Sequence, residues 1–345
     1  MSKRGPTIKD IASVAGVSVA TVSRFINQSG YVNDSTADLI RSAIEETGYV
    51  PSMLARGLKT RRTGMFLLIV PDIANPFYSR IARKLQHLAQ ENGFAIMLFD
   101  SEAEQSRELE ALMLARQMSA DGVFFATIDS NPRAMQLLEE TEYRTVGLNA
   151  FEEGMPFDTV VVHHLGGTNL AVDHLIALGH RHIVFAGGTP GTLIGKSRLK
   201  GYVYAMDQHG MPCQENAIFQ SSFNQAGGYE AGRRILALDP LPTAICCAND
   251  LVALGVIRAL NDAGLRVPQD ISVTGMDDIP YADLSSPPLT TVENDGEYFA
   301  ERAFNMMLRR LNGERSAPVR QEIPNALCVR GSSAEPRASL GSFVR

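Results

Sequence analysis

The sequence predicts an α/β protein in two parts: a small all-α unit at the amino end and a large core of parallel strands and helices. Within residues 1–62, apolar residues recur at helical spacing between short turns. From Met65 onward, fully apolar runs of strand length alternate with amphipathic helical segments. Such alternation is typical of parallel sheets covered by helices on both faces.

A helix-turn-helix pattern occupies the start of the chain. Thr7 and Asp10 form a capping-box pair for a first helix, and Gly16 provides the left-handed residue that ends it. Ser18 then caps a second helix. Two short helices joined by a turn with Gly place the second helix for insertion into a DNA major groove. A purely structural cap is the alternative, but it gives no reason for a polar second helix beside a basic segment.

A third helix and a short helical segment follow. Ser35 and Asp38 suggest a second capping box, and Gly48 ends the third helix. Residues 52–60 form about two helical turns, a length that is not stable by itself in water. Residues 61–64 have the composition of a linker.

Charge is distributed unevenly along the chain. Residues 1–62 hold nine Lys and Arg against five Asp and Glu, a balance of +4, whereas all 345 residues together carry −6. The rest of the chain therefore carries −10. A basic amino-terminal segment on an acidic body favours local contact with phosphates, and beside a helix-turn-helix it predicts DNA binding.

Composition also narrows the compartment and the chemistry. No run is long and apolar enough to span a membrane, and the amino end lacks the apolar segment of a signal peptide, so a cytoplasmic protein is expected. The cysteines show no metal-ligand spacing and are expected as reduced thiols. The glycines between Gly187 and Gly195 lack dinucleotide spacing, and no catalytic constellation is recognisable. No metal, cofactor or enzymatic activity is expected.

The apolar runs and the helical periodicity predict the elements of the core. Strands are predicted at residues 65–70, 94–99, 122–126, 145–148, 160–162, 183–186, 244–247 and 271–276. Helices are predicted at residues 77–92, 104–118, 166–178, 197–209, 226–238 and 250–263.

Several stretches resemble one family of regulators. Residues 7–24, T-I-K-D-I-A-S-V-A-G-V-S-V-A-T-V-S-R, resemble the headpiece of the lactose-repressor/galactose-repressor (LacI/GalR) family of transcription regulators. V-P-D at 70–72 with N-P-F-Y at 75–78, A-N-D-L-V-A-L-G at 248–255 and P-P-L-T-T-V at 287–292 resemble the core that this family shares with periplasmic sugar-binding proteins. The resemblance covers essentially residues 6–330.

The resemblance implies a division of the chain into a headpiece and a periplasmic-binding-protein-like core of two doubly wound parallel-sheet subdomains joined by three crossovers. The expected parts are a helix-turn-helix headpiece at 1–50, a hinge helix and linker at 51–64, a first subdomain at 65–163 and 291–323, and a second subdomain at 164–290 and 324–332. The tail at 333–345 is expected to be disordered and lacks apolar heptads for tetramer formation.

The resemblance further implies a homodimer on a pseudo-palindromic operator. The helix at 18–27 would read each half-site, and Leu58 of the hinge helix would wedge into the minor groove. The expected DNA contacts are Thr7, Ser18, Val19, Ala20, Thr21, Ser23, Arg24, Asn27, Tyr31, Thr36, Tyr49, Ala55, Leu58 and Lys59.

In the core, the resemblance implies a small effector, a sugar or sugar derivative, bound between the subdomains at the strand ends. Aromatic faces suit sugar rings, and amide, guanidinium and carboxylate groups suit their hydroxyls. The expected contacts are Asn75, Phe77, Tyr78, Asn149, Arg198, Phe223, Asn249 and Asp277. The alternatives are core positions for the three aromatic residues, helix caps for Asn249 and Asp277, and a salt-bridged surface position for Arg198.

These features together predict a ligand-responsive transcription regulator, and a repressor in particular. A global regulator controlled by a phosphoprotein co-regulator is the alternative within the same architecture. A sugar-binding transport protein is a further alternative, against which the headpiece and the missing signal peptide argue. An enzyme built on the same core has no catalytic constellation in its support.

Overall fold

A computed structural model describes residues 5–26, 30–50, 62–129, 131–140, 144–211, 213 and 215–337. The chain divides into two compact units, Met1–Gly64 and Met65–Arg345, which we call the headpiece unit and the core. The predicted DNA contacts Asn27, Ala55, Leu58 and Lys59 lie outside the described residues. No described helix is both long and apolar enough to cross a membrane.

The headpiece unit consists of three described helices around a small apolar core. They are α1 (Ile8–Ala15), α2 (Val19–Ile26) and α3 (Asp34–Thr47). Ile11, Val22 and Ile40 are fully buried at their junction. The first helix begins and ends as the sequence predicts: the Thr7 amide donates to Asp10 Oδ2 at 2.7 Å, and Gly16 has a φ of 66°.

The start of α3 differs from the prediction. Asn33 caps this helix by accepting a hydrogen bond from the Thr36 amide at 2.8 Å, so Ser35 lies inside the first turn. Asp38 forms a surface ion pair with Arg41 instead of a capping box. The predicted box was wrong because Asn33 accepts the same kind of bond two residues earlier, and the sequence Asn-Asp-Ser-Thr contains several residues that can cap a helix.

The core contains two six-stranded sheets with helices between the strands. The strands of the first sheet, in the spatial order β11-β5-β4-β3-β1-β2, are all parallel. They are β1 (Met65–Val70), β2 (Ala95–Asp100), β3 (Gly122–Thr127), β4 (Thr145–Asn149), β5 (Asp158–Val162) and β11 (Arg320–Ile323). The helices that follow in this half are α4 (Pro76–Glu91), α5 (Gln105–Gln117), α6 (Pro132–Glu140) and α12 (Gly296–Leu311).

The second sheet has the spatial order β12-β10-β9-β8-β6-β7, with only its β10–β12 pair antiparallel. Its strands are β6 (Ile183–Ala186), β7 (Ile218–Phe219), β8 (Ala244–Cys247), β9 (Ser272–Asp277), β10 (Thr290–Asn294) and β12 (Asn325–Cys328). Its helices are α7 (His164–Ala177), α8 (Leu193–Gln208), α9 (Gln225–Ile235), α10 (Asp250–Asp262) and the short α11 (Pro280–Leu284). The predicted α/β class is confirmed.

The chain crosses between the two halves at three places, which we call the crossovers. The first lies at His163, between β5 and α7; the second at Asp295, between β10 and α12; and the third at Pro324, between β11 and β12. The second crossover corrects the predicted boundary at 290/291. Residues 290–294 pair with β9 in the second sheet, because Leu289 and Val292 are buried in the apolar clusters of that half.

The predicted disordered tail also needs correction at its start, because residues 333–337 are ordered against the second sheet. The Ala334 carbonyl contacts His180 Nε2 at 2.8 Å, and Arg337 forms an ion pair with Asp270 at 2.8 Å. Just before them, Ser332 is fully buried and accepts hydrogen bonds from the Val273 and Thr290 amides. The small polar residues of this segment suggested disorder. Composition and hydropathy do not reveal the hydrogen bonds that the segment makes with the edge of the second sheet.

We predict that this last segment stabilises the core. A chain ending at Gly331 leaves the buried amides of Val273 and Thr290 without partners, and each unsatisfied buried group costs about 1–3 kcal/mol. Thermal unfolding should occur several degrees below that of a chain ending at Arg337, since 1 kcal/mol shifts the midpoint by about 2–4 °C in a domain of this size. Circular dichroism melts of the two truncated chains make the comparison, and equal midpoints would contradict it.

Candidate functional sites: the headpiece surface and the core cleft

The second helix of the headpiece unit presents a row of small side chains and one cation. Ser18, Val19, Ala20 and Arg24 are exposed, and Thr21 and Ser23 are half-buried. Ser18 Oγ accepts the Thr21 amide at 3.1 Å, which fixes the first turn as the sequence predicts. Small groups at the start of a helix allow its backbone to approach base edges closely.

Two further features shape this surface. The stem of Arg24 runs close to Gly30, where an added Cβ would lie 2.9 Å from Arg24 Cδ, so the glycine leaves room for that side chain. Tyr31 is 87% exposed, so its ring is accessible to a binding partner.

Three of the predicted DNA contacts also have structural roles. The Thr7 hydroxyl donates to Asp10 Oδ2 in the capping box, and the Thr36 amide is held by Asn33. Tyr49 is half-buried against the apolar core of the headpiece unit. These residues stabilise α1 and α3, the helices that pack against α2.

A cavity of about 470 Å³ lies at the carboxyl ends of the core strands. Asn75 follows β1, Asn149 ends β4 and Asp277 ends β9, so the loops of both sheets meet at this edge. Open parallel sheets bind ligands at this edge, and the volume is in the range of small-molecule sites. All eight residues that the sequence predicts as effector contacts line the cavity: Asn75, Phe77, Tyr78, Asn149, Arg198, Phe223, Asn249 and Asp277.

Arg198 of α8 is the central cation of this cleft and is buried. Its Nη2 donates to Asp277 Oδ1 at 3.0 Å, its Nη1 donates to the Ala248 carbonyl, and its Nε donates to His164 Nδ1 at 3.3 Å. The guanidinium carbon also lies 5.6 Å from the centre of the Phe223 ring. A guanidinium has five N–H donors, so two remain for a ligand after these three bonds.

Asp277 is held in an unusual backbone conformation beside Arg198. Its φ is 111°, a region that side chains rarely adopt, and its carboxylate also accepts Asn294 Nδ2 at 2.9 Å. Burial raises the pKa of this carboxyl, while the Arg198 guanidinium and the Asn294 amide act to lower it. Strained residues of this kind cluster at functional sites, where the surroundings hold them in place.

Asn149 leaves a buried polar atom without a partner at the cavity wall. Its Nδ2 donates to the Tyr78 hydroxyl at 3.1 Å, but its buried Oδ1 has no hydrogen-bond partner among the described residues. Asn149 also has a φ of 78°. Burial raises the pKa of Tyr78 above its ordinary value, so the phenol stays protonated. An orphaned amide in a cavity wall is suited to a ligand that donates hydrogen bonds.

The remaining predicted contacts combine cavity lining with structural roles. Asn75 caps α4 through the Phe77 amide at 3.0 Å, and Asn249 caps α10 through the Val252 amide at 2.9 Å. Phe77 is a core aromatic, packed edge-on against Phe299 at 6.1 Å. The cap predicted as an alternative for Asn249 is therefore present, whereas Asp277 is not a cap.

Sequence reasoning missed several acidic residues of the cavity wall. Asp72 and Asp129 follow β1 and β3, and their position after predicted strands was the available signal. Asp129 Oδ1 accepts the Leu193 amide at 3.2 Å, across the cleft. Glu108 is buried, and burial raises the pKa of its carboxyl although Thr127 and Asn131 donate to it. Within the described ranges, no group of three or more His, Cys, Asp or Glu is placed to hold a metal ion.

Comparisons with known proteins show that both units of the chain are similar to parts of bacterial transcription regulators. Residues 7–52 match the family described as bacterial regulatory proteins, lacI family, and residues 172–333 match a periplasmic binding protein-like domain. The chain is 33% identical over 331 residues to the HTH-type transcriptional regulator DegA of Bacillus subtilis, covering 95% of this chain and 98% of that protein.

Two solved structures are similar over nearly the whole chain. The lac repressor dimer bound to operator and the anti-inducer ONPF has a TM-score of 0.86 at 26% identity, with coverage of 96% of this chain and 100% of that one. The complex of the transcriptional regulator CelR with cellobiose has a TM-score of 0.73 at 30% identity, with coverage of 95% and 100%. The predicted fold class is confirmed by these likenesses.

The buried contact between Arg198 and His164 yields a pH-dependent prediction. Nδ1 of His164 accepts the Arg198 bond, so the imidazole must be neutral. Burial lowers its pKa well below the ordinary value, and the guanidinium groups of Arg198 and Arg320 lower it further. Below pH ~6.5 this histidine binds a proton in the unfolded state but not in the folded state. As the pH falls, it therefore reduces the free energy of unfolding by up to about 1.4 kcal/mol per pH unit.

Replacing His164→Gln should therefore flatten the fall in stability between pH 7.5 and pH 5.5, measured by urea denaturation. Burial also lowers the pKa of His174 and His180, and it raises the pKa of Asp250, but these groups are common to both proteins. The difference in slope therefore isolates His164. Parallel pH profiles for the two proteins would contradict the neutral, buried histidine.

Proposed function

Because the chain belongs to the LacI family of bacterial regulatory proteins, we propose that it is a repressor whose affinity for operator DNA is controlled by a sugar-like effector in the core cleft. The membership of this family supports the DNA-binding role. The convergence of eight predicted residues on one cavity, with an orphaned acceptor and two spare Arg donors, supports the effector role.

The DNA contacts are proposed from the exposed face of α2. Val19 and Ala20 offer apolar contact with thymine methyl groups, and Arg24 offers a bidentate donor for guanine or a phosphate contact. Ala55, Leu58 and Lys59 of the hinge segment, and Asn27, remain proposals based on the family resemblance.

A homodimer is proposed on the same grounds. The similar lac repressor structure is a dimer on its operator. In this chain, Leu98 on the edge strand β2 and Tyr281 of α11 are exposed, and Leu284 is 78% exposed. Large apolar side chains that are exposed on an edge strand and on a short helix are the kind of surface that a second copy covers. Two symmetric headpieces would read a pseudo-palindromic operator.

The effector is proposed to be a neutral, hydroxyl-rich molecule. The similar CelR structure holds cellobiose. Here, Arg198 and Asp277 supply adjacent donors and acceptors for vicinal hydroxyls, Asn149 supplies the orphaned amide oxygen, and Phe223 supplies a ring face. An effector that releases DNA and one that strengthens DNA binding are both compatible with this site.

The other functions considered have less support. A phosphoprotein-controlled regulator needs no ligand in the cleft, and so it leaves the orphaned Asn149 oxygen unexplained. The headpiece argues against a transport protein. We propose a binding core without enzymatic turnover, acting in the cytoplasm, where the DNA lies.

The DNA-reading proposal predicts that Arg24→Ala weakens specific binding by about 1–3 kcal/mol, because a bidentate contact to guanine is lost. The wild-type chain first selects its duplex from a pool of random DNA. Gel shifts then compare the selected duplex with variants altered in one half-site. Arg41→Ala, which removes an exposed Arg already paired with Asp38, is the matched control. Unchanged discrimination among duplexes by the Arg24 variant would exclude base reading by this residue.

The effector proposal predicts that Arg198→Lys reduces ligand affinity about tenfold or more, because a lysine keeps the charge but loses the planar guanidinium and its additional N–H donors. Thermal-shift titration with cellobiose and a panel of neutral mono- and disaccharides is the measurement; a ligand at 100 times its Kd adds roughly 2.7 kcal/mol. Arg310→Lys alters another Arg–Asp pair of the core, in which a half-buried Arg is bonded to the buried Asp158 away from the cavity, and should not change the titration. A wild-type chain that responds to none of these sugars would contradict the carbohydrate class.

A further inference from the structure

A series of buried hydrogen bonds joins the cleft to every crossover of the core. Asp277 Oδ1 accepts from Asn294 Nδ2 at 2.9 Å, and Asn294 Oδ1 accepts from Asn325 Nδ2 at 2.7 Å. On its other side, Asp277 is bonded to Arg198, whose Nε donates to His164 Nδ1. Asn294, Asn325 and His164 each stand directly beside one of the three crossovers.

The far end of this series returns to its beginning. A Cβ added at Gly167 would lie 3.2 Å from Asn325 Nδ2, so the amide of Asn325 lies against the first turn of α7. His164 is the first residue of that helix. The five side chains therefore form an open series of four hydrogen bonds whose two ends lie near the first turn of α7, and we call this series the crossover ring: His164, Arg198, Asp277, Asn294 and Asn325.

Burial couples the members of the crossover ring. His164, Arg198, Asp277 and Asn294 are buried, and Asn325 is half-buried. A buried donor or acceptor that loses its partner carries the full cost of desolvation, so a change at one bond forces its neighbours to adjust. Sequence separation does not limit this effect, because the ring joins residues from 164 to 325.

We propose that Asn294 and Asn325 are positioning residues that link the occupancy of the cleft to the geometry of the crossovers. Arg198 and Asp277 line the cavity, whereas Asn294 and Asn325 do not. A ligand hydroxyl that binds Arg198 or Asp277 alters their bonds within the ring, and the two asparagines pass this change to the crossover segments that join the halves. The inference rests on the proposed function, since it requires a ligand at Arg198 and Asp277.

The ring also satisfies the thermodynamic requirement for a switch. A ligand shifts an equilibrium only by its differential affinity for the two arrangements. All members of the ring lie in the half that holds the second sheet. The ring provides such a difference because bonds from a ligand to Arg198 or Asp277 compete with the bonds of these two residues to the ring members beside the crossovers.

The test is a double-mutant cycle in the full chain. Asp277→Asn removes the charge within the ring and keeps the side-chain shape, and Asn325→Ala removes the most distant member. Asn131→Ala is the matched control: Asn131 is a buried amide that also donates to a cleft carboxylate, Glu108, at 2.8 Å, but it stands beside no crossover. The Kd for the duplex selected by the wild-type chain is measured for every single and double variant.

We expect the Asp277→Asn and Asn325→Ala effects on this Kd to be non-additive by about threefold or more, and the Asp277→Asn and Asn131→Ala effects to be additive. Additive effects in both cycles would overturn the proposal. Equal coupling in both cycles would also overturn it, because general loosening of the core would then suffice.

Hydrogen exchange separates this inference from the proposed function, because it needs neither ligand nor DNA. In the wild-type chain and in Asp277→Asn, exchange is followed in peptides that cover residues 163–167, 292–296 and 324–328. The ring predicts faster exchange in all three peptides for Asp277→Asn and no change in them for Asn131→Ala. Faster exchange confined to 292–296, the direct neighbour of β9, would overturn the inference. A chain that selects no duplex but shows faster exchange in all three peptides for Asp277→Asn would refute the DNA-binding role alone.

Discussion

The buried ion pair between Arg198 and Asp277 is the interaction on which the cleft of the core depends. Removing two charges from water is costly, and a buried pair persists only when further hydrogen bonds satisfy its remaining donors and acceptors. Here, the Ala248 carbonyl, His164 and Asn294 provide those bonds. The pair therefore fixes the ends of β8 and β9 and the start of α7 together, and it leaves two guanidinium donors for a ligand.

Several residues that line the cleft also stabilise the fold. Asn75 and Asn249 cap helices whose first turns face the cavity, so the amides that begin these helices also form its wall. Asn149 and Asp277 adopt positive φ angles that the surrounding strands must hold. A site built from caps and strand ends is preformed, which reduces the entropy lost when a ligand binds.

The family likeness and the local geometry support different parts of the function. Membership of the LacI family rests on similarity over nearly the whole chain. The particular ligand depends instead on the few side chains of the cavity wall, including the carboxylates of Asp72 and Asp129. Those carboxylates give the cavity a negative character, which disfavours anionic effectors such as sugar phosphates.

The sequence by itself determined the features that local chemistry controls. The caps at Thr7, Gly16 and Ser18 and the apolar runs of the strands are readable because each depends on neighbours only a few residues away. Only the tertiary structure decided that Asn33 begins α3, that residues 290–294 join the second sheet, and that residues 333–337 are ordered. It also decided that Asn294 and Asn325 reach Asp277, because hydrogen bonds between residues far apart in the chain leave no periodic pattern in the sequence.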